Sequence, residues 1–389
     1  MTARKKSCVS IVKVQEEHIE EAVVRLFDQL GGMNRFLLPL DTVLLKPNWV
    51  TDLHYSTGAV THTELIRACV NLLLKHSAKK VIIADGAMVG KKTEDVILKN
   101  GVDQLASRRV EVLDFKKSQY TKVVVPNALK YPRLALPNEL LESDVVINLP
   151  VMKTHDAFPV TLGLKNMKGV LSDRDKRRFH LRGLDEGVID LNKAARANLT
   201  VIDGIIGMEG NGPTNGTPAH SKVLIASEDP LAAEVAAIAV MGFDAQEFEY
   251  IHMAYEAGFG QKDLSEIEIV GENIESVKRP FQTSYYTGRS AYGNIEIIDG
   301  MACSGCRDAI VQFLSNNRQI EKHPDVPITI VAGQPVSASE LTHGGRFTMG
   351  IGKCTKACAS QYDIHVPGCA PLKTALDRAY QEIVKKAGR

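Results

Sequence analysis

Lys80-Val-Ile-Ile-Ala-Asp85-Gly86 is the stretch whose reading decides the fold class. An unbroken apolar run of this length, rich in β-branched residues and closed by Asp-Gly, reads as a strand buried on both faces. A helical stretch from Thr61 to His76 precedes it, with Thr61 or Thr63 as the cap. Working outward, Ser7 to Val14, Thr42-Val-Leu-Leu-Lys46, Asp144-Val-Val-Ile-Asn148 and Leu199 to Asp203 repeat the strand pattern. Glu16 to Leu30 places Ile19, Val23, Leu26 and Phe27 at helical spacing, and Asp229-Pro230 opens an alanine-rich helix. Buried-type strands alternating with helices predict an α/β fold: a large domain with a mainly parallel sheet flanked by helices.

A chain of 389 residues exceeds one ordinary core, so more than one domain is expected. The first spans residues 1–277. Lys278 to Tyr292, with Pro280, Gly288 and several polar residues, reads as a linker over 278–293. A second, smaller α/β unit follows over 294–389, beginning with the strand Ile295 to Asp299.

A formal net charge of +1 argues against a nucleic-acid partner. No apolar run is long enough to span a membrane, and the N-terminus lacks a signal-peptide pattern. The expected location is the cytoplasm, where clustered thiols are metal ligands or redox groups more often than disulfides.

Five of the seven cysteines lie between 303 and 369. Cys303-Ser-Gly-Cys306, Gly352-Lys-Cys354 and Val366-Pro-Gly-Cys369 each fall where a strand should give way to a helix. Loops at the carboxyl ends of parallel strands converge, and glycines beside the thiols let backbone approach inorganic sulfide. That pattern predicts an iron-sulfur cluster. Zinc and unrelated buried thiols are the alternatives, although zinc sites usually pair two short knuckles.

The order of these segments is similar to the cluster-binding flavodoxin-like half of nickel-iron hydrogenase small subunits and related quinone-reductase subunits. The resemblance implies a [4Fe-4S] cluster held by Cys303, Cys306, Cys354 and Cys369 in a flavodoxin-like domain. Cys358 falls outside that pattern, and Ala370 stands where a proline is expected.

In the large domain, Lys46 with Asn48, Asp85, Lys153 with His155, and Asp203 with Glu209 all follow strands and should line one sheet edge. Lysines there suit a carboxylate or phosphate, and His155 suits proton transfer near neutral pH. Lys46, Lys153 and His155 are the catalytic candidates; Asn48, Asp85, Lys165, Asn166, Lys168, Asp203 and Glu209 are the substrate-binding ones. From Lys165 to Arg182 the chain is strongly basic with little apolar periodicity, either a lid over an anion or a solvated surface. The glycine stretch 207–216 fits no nucleotide motif, so flavin is possible but without a motif to support it.

Residues 42–240 resemble the domain of unknown function 362 family. The likeness is carried by Lys46-Pro-Asn48, Asp85-Gly86, Asn148-Leu-Pro-Val-Met-Lys153-Thr-His155, Gly163-Leu-Lys165-Asn166-Met-Lys168-Gly169, His180, Asp203-Gly204, Gly210-Asn-Gly212-Pro213 and Asp229-Pro230. It implies a shared fold and pocket and names no reaction.

These readings lead to a cytoplasmic iron-sulfur oxidoreductase, its cluster relaying electrons to or from a small anionic substrate or second cofactor. A redox protein partner and a homo-oligomer are possible companions. The alternatives are a non-redox isomerase or lyase with a structural or Lewis-acid cluster, and a cluster carrier or maturation protein.

Overall fold

The computed structural model describes residues 6–15, 18–155, 160–282, 292–300, 302, 304–314, 317–334 and 345–389. The chain divides into two compact units, Met1–Thr154 with Val160–Gln282, and His155–Pro159 with Thr283–Arg389.

In the first unit the strands are β1 (Ser7–Lys13), β2 (Thr42–Pro47), β3 (Lys80–Asp85), β4 (Val110–Asp114), β5 (Tyr120–Val124), β6 (Arg133–Pro137), β7 (Val145–Leu149), β8 (Val151–Thr154), β9 (Val160–Thr161), β10 (Leu199–Glu209), β11 (Thr217–Ala219), β12 (Val223–Ser227) and β13 (Ile267–Gly271). The main sheet runs β13-β1-β12-β10-β7-β2-β3-β4, with β8, β9 and β11 attached beside β10 and a separate β5-β6 ribbon. Along that path only β12 is antiparallel to its neighbours.

The apolar runs behave as their composition requires. Val43, Leu45, Val81 and Ile83 enter one core, with the helices Ile19–Gln29 and Thr63–Lys75. Leu44, Ile82 and Ala84 alternate into a second core on the opposite face, with Phe115, Tyr131, Met167 and Phe179. Two apolar faces on each strand are what make the runs continuous.

Several stretches differ from the sequence reading; the helix Thr63–Lys75, for one, is capped by His62, which lies between the two threonines expected. β10 does not stop at Asp203 but continues to Glu209, so the glycine stretch begins inside a strand and turns back into β11. The basic segment also contains a helix, Asp173–Arg182, whose N-cap Ser172 accepts from the Asp175 N–H. Its apolar anchor is Phe179, stacked on Tyr131 at 4.5 Å. One ring, a good cap and polar ties such as those of Lys176 to the Gly86 and Ala87 carbonyls hold this helix, which explains why its sequence lacks apolar periodicity.

Arg279 to Gln282, read from sequence as linker, are tied into the first unit. The Arg279 and Phe281 N–H groups donate to the carbonyls of Val240 and Met241. The second unit has four parallel strands in chain order, β14 (Ile295–Gly300), β15 (Ile328–Gly333), β16 (Phe347–Ile351) and β17 (Ile364–Val366). The helices Ser304–Leu314 and Lys373–Lys386 share its core with Ile328, Ile330, Met349 and Ile351. Its likeness to flavodoxin is therefore one of class rather than of strand order.

Asp229 holds several parts of the first unit together. Its Oδ1 accepts from the N–H groups of Leu231 and Ala232 at 3.0 and 2.9 Å, capping the helix Pro230–Val240. Its Oδ2 accepts from the Gln261 N–H and from the Ser7 hydroxyl of β1. Asp229→Ala should lower unfolding stability by at least the roughly 1 kcal/mol typical of a lost cap. Urea unfolding of the two proteins measures it, and an unchanged midpoint would contradict this role.

Candidate functional site

At the carboxyl ends of β2 and β3, Lys46 and Asp85 form an ion pair, Nζ to Oδ1 2.7 Å, with side chains 0% and 3% exposed. Lys46 also donates to the Pro47 carbonyl at 2.8 Å, and Asp85 Oδ2 accepts the Trp49 N–H at 2.7 Å. Burial lowers the Lys46 ammonium below its ordinary value, and the attraction and hydrogen bond of Asp85 offset only part of that. Gly169 lies against the pair: a Cβ there would stand 1.8 Å from Asp85 Oδ1 and 2.6 Å from Lys46 Nζ. Only glycine permits that approach.

Three asparagines extend the network. Asn48 Nδ2 donates to Asn166 Oδ1, and Asn166 Nδ2 donates to Asn148 Oδ1, both at 2.7 Å. Lys153 Nζ donates to Asn48 Oδ1 at 2.9 Å and to the Ala59 carbonyl at 2.8 Å. Burial pushes its ammonium down to about 7, with Asp85 opposing and Lys46 reinforcing the shift. Asp203, further along in β10, accepts from the N–H groups of His62 and Ile205 at 2.8 and 3.0 Å. Its carboxyl is raised to about 6 by burial, against those N–H groups and Lys153.

The basic segment supplies two more lysines. Lys176 Nζ donates to the carbonyls of Gly86 and Ala87 at 2.7 and 2.9 Å, and burial lowers it to about 8. Lys168 Nζ meets His180 Nε2 at 2.7 Å. Burial and, after it, Lys176 bring Lys168 to about 7. Asp85 thus pairs with Lys46 and also attracts Lys153 and Lys176, and Asp203 attracts Lys153, so the lysines Lys46, Lys153, Lys168 and Lys176 outnumber the buried carboxylates Asp85 and Asp203. Such a surroundings favours an anion, and amines near neutrality can both release and accept protons.

Other candidates lie apart from this network. Glu209 is gripped by Arg279 at 2.8 and 3.0 Å and by the Gln282 N–H at 3.0 Å. Burial alone would raise its carboxyl, but Arg279 and Gln282 outweigh it and hold it below its ordinary value. His155 is buried after β8 and is grouped with the second unit, whereas Lys153 belongs to the first. Lys165 is buried in the turn Gly163–Asn166.

Glu234 escaped the sequence reading. It is wholly buried in the alanine-rich helix, accepting from the Leu164 N–H and the Tyr250 hydroxyl, each at 3.0 Å. Burial raises its carboxyl to about 7. The available signal was its being the single charge within Pro230–Val240.

In the second unit, Cys306 is buried while Cys354 and Cys369 are exposed and Cys358 is half-buried. Cys303 lies outside the described residues. The loops of Cys354 and Cys369 meet through backbone: the Lys353 N–H donates to the Gly368 carbonyl at 2.8 Å. A Cβ on Gly352, at φ +87°, would stand 2.9 Å from Cys306 Sγ. Glycine-lined approach and a thiol donor set suit a thiolate-held cluster. Among the described residues, no group of three or more His, Cys, Asp or Glu is already gathered as a metal site.

Residues 43–239, which carry this lysine and asparagine network, match the model of a domain of unknown function, DUF362. The chain belongs to the DUF362 family. A thylakoid-associated protein of Synechocystis is 31% identical over 226 residues, 56% of this chain and 68% of that one. Two solved structures are remotely similar. A Thermotoga maritima protein has 12% identity and a TM-score of 0.39, over 91% of this chain and 92% of that one. The lactate racemase apoprotein of Thermoanaerobacterium thermosaccharolyticum has 11% identity and a TM-score of 0.42, over 98% and 91%. Among the described residues no helix is long and apolar enough to cross a membrane.

Lys153 carries a stability signature. Unfolded, its ammonium keeps its proton to about 10.5; folded, it releases it near 7. Between those values the unfolded state binds more protons, so stability rises with pH across that window, by at most about 1.4 kcal/mol per pH unit. Lys153→Met should flatten the rise. Urea midpoints measured from about pH 7 to pH 10 check this, and identical slopes for the two proteins would refute it.

Proposed function

We propose that this protein is an iron-sulfur oxidoreductase that binds a small anionic substrate in its first unit. The observation that carries the anion reading is the gathering of Lys46, Lys153, Lys168 and Lys176 around the buried carboxylates Asp85 and Asp203, which they outnumber. Lys46, Asp85, Asn48, Asn148 and Asn166 form the enclosed frame. Lys153, hydrogen-bonded to Asn48 within the frame, and the half-buried Lys168, both brought near neutrality by burial, supply protonation chemistry. Asp203, which attracts Lys153, supports the same region, whereas Lys165 and Glu209 lie apart from it.

Cys303, Cys306, Cys354 and Cys369 would hold the [4Fe-4S] cluster, and the backbone meeting of the Gly352 and Gly368 loops beside Cys306 supports this set. When bound, the cluster supplies one-electron chemistry, tunable by hydrogen bonds and exposure. A redox protein would then exchange electrons with the chain. For location we propose the cytoplasm; the thylakoid association named for the Synechocystis relative is the competing placement.

A second reading, an isomerase or lyase without electron transfer, is favoured by Lys153 and Lys168 themselves, since near-neutral amines move protons unaided. His155 would be a further proton carrier in either reading.

Anaerobic purification followed by iron and sulfide analysis, visible spectra and EPR tests the leading reading. The expected content is about four irons and four sulfides per chain, lost in Cys306→Ala and Cys369→Ala. Zinc in place of iron would overturn the reading, and an intact cluster in both variants would overturn the ligand set. A cluster that dithionite does not reduce would favour the isomerase or lyase.

A further inference from the structure

Lys168 and His180 are separated by 12 positions, and their side chains meet at 2.7 Å, Nζ to Nε2. Lys168 comes from the short 3-10 turn Met167–Val170 and His180 from the last turn of the helix Asp173–Arg182. The turn is fixed by Gly169 against the Lys46–Asp85 pair, and the helix by its Ser172 cap and the Phe179–Tyr131 stack. Two anchored elements therefore set the contact.

At this separation a single hydrogen lies between the nitrogens. An ammonium and an imidazole protonated at Nε2 would face each other with two N–H groups, so the pair holds one positive charge across the contact where two separate side chains could hold two. Both residues are half-buried, unlike the enclosed Lys46 and Lys153. Lys176 faces Lys168 and adds positive charge; Asp85, Lys116, Asp173 and Lys46 lie around Lys176 in turn.

We propose that Lys168 and His180 act as one proton-transfer unit on a small anion bound beside them. In the singly charged state, the ammonium donates one N–H to the Nε2 lone pair of neutral His180 and keeps two for the anion's oxygens. Giving one proton to a substrate oxygen breaks an N–H bond, forms an O–H bond and leaves a neutral amine. That lone pair takes the proton back in the reverse step. The neighbouring positive charge of Lys176 favours proton release, and His180 fixes the direction of the remaining N–H bonds. The assignment rests on the anion-binding reading above and adds to it the residues that exchange the proton.

NMR titration of His180 in the full chain, with imidazole nitrogen labelling, tests the unit. In Lys168→Met the His180 midpoint should rise by at least about half a pH unit, because a positive neighbour is removed. Lys168→Arg keeps that charge and should leave the midpoint at its wild-type value, which separates the unit from a merely structural contact. Equal midpoints in the wild type and Lys168→Met overturn the unit. If Lys168→Met does not fold, a raised His180 midpoint in Lys168→Arg overturns it instead. Inorganic phosphate, used as the probe, should shift the His180 resonance in the wild type and less in Lys168→Met. Phosphate that perturbs no His180 signal overturns the anion reading, while the midpoints still decide the unit.

Discussion

The Lys46–Asp85 pair is the constraint on which the first unit's sheet edge depends. Removing two charges from water costs several kcal/mol per ion unless geometry and further hydrogen bonds compensate. Here each partner has a second contact: Asp85 takes the Trp49 N–H, and Lys46 donates to the Pro47 carbonyl. The pair draws the ends of β2 and β3 together, and Gly169 must pass over it as bare backbone. From Gly169 the chain runs into the basic helix, and through Asn166 it is tied to Asn48, Asn148 and hence Lys153. Breaking one partner would leave the other buried and uncompensated, which is why the motif residues act together.

Much of this was legible. Continuous apolar runs announced strands buried on both faces, and the alternation of Val43, Leu44 and Leu45 between two cores is the direct outcome. Lys46 and Asp85 could be placed because polar residues that end parallel strands share one edge, whereas Asn148 reads only as the end of its strand. Asn48 and Asn166 belonged to motifs already noticed, yet their mutual hydrogen bonds depend on a turn that no spacing rule describes.

Other features lacked a sequence signal. The helix Asp173–Arg182 is almost wholly polar, and its anchor is one ring seated on Tyr131 from the β5-β6 connection. Glu234 sits among alanines, where local propensity predicts a helix and nothing about the carboxylate's partners. Lys153 and His155, two residues apart, suggested a shared site, while Lys168 and His180 are brought together by turn geometry. Proximity in the chain and proximity in the fold diverge most where the backbone reverses.

The position of β1 bears on how the first unit is made. This N-terminal strand lies between β12 and β13, pairing Ser10 with Ala226 and Ser7 with Ile267. Its hydrogen-bonding edges are therefore unmatched until residues more than two hundred positions later have left the ribosome. During synthesis a β-branched segment, Cys8 to Val12, waits without its native neighbours, and such a segment is a template for pairing with other chains. Closing so long a loop adds little to the final stability cost but slows the search. On the growing chain β1 can pair only once β12 has been made, and the edge strand β13, which is hydrogen-bonded to β1 in that sheet, follows later still.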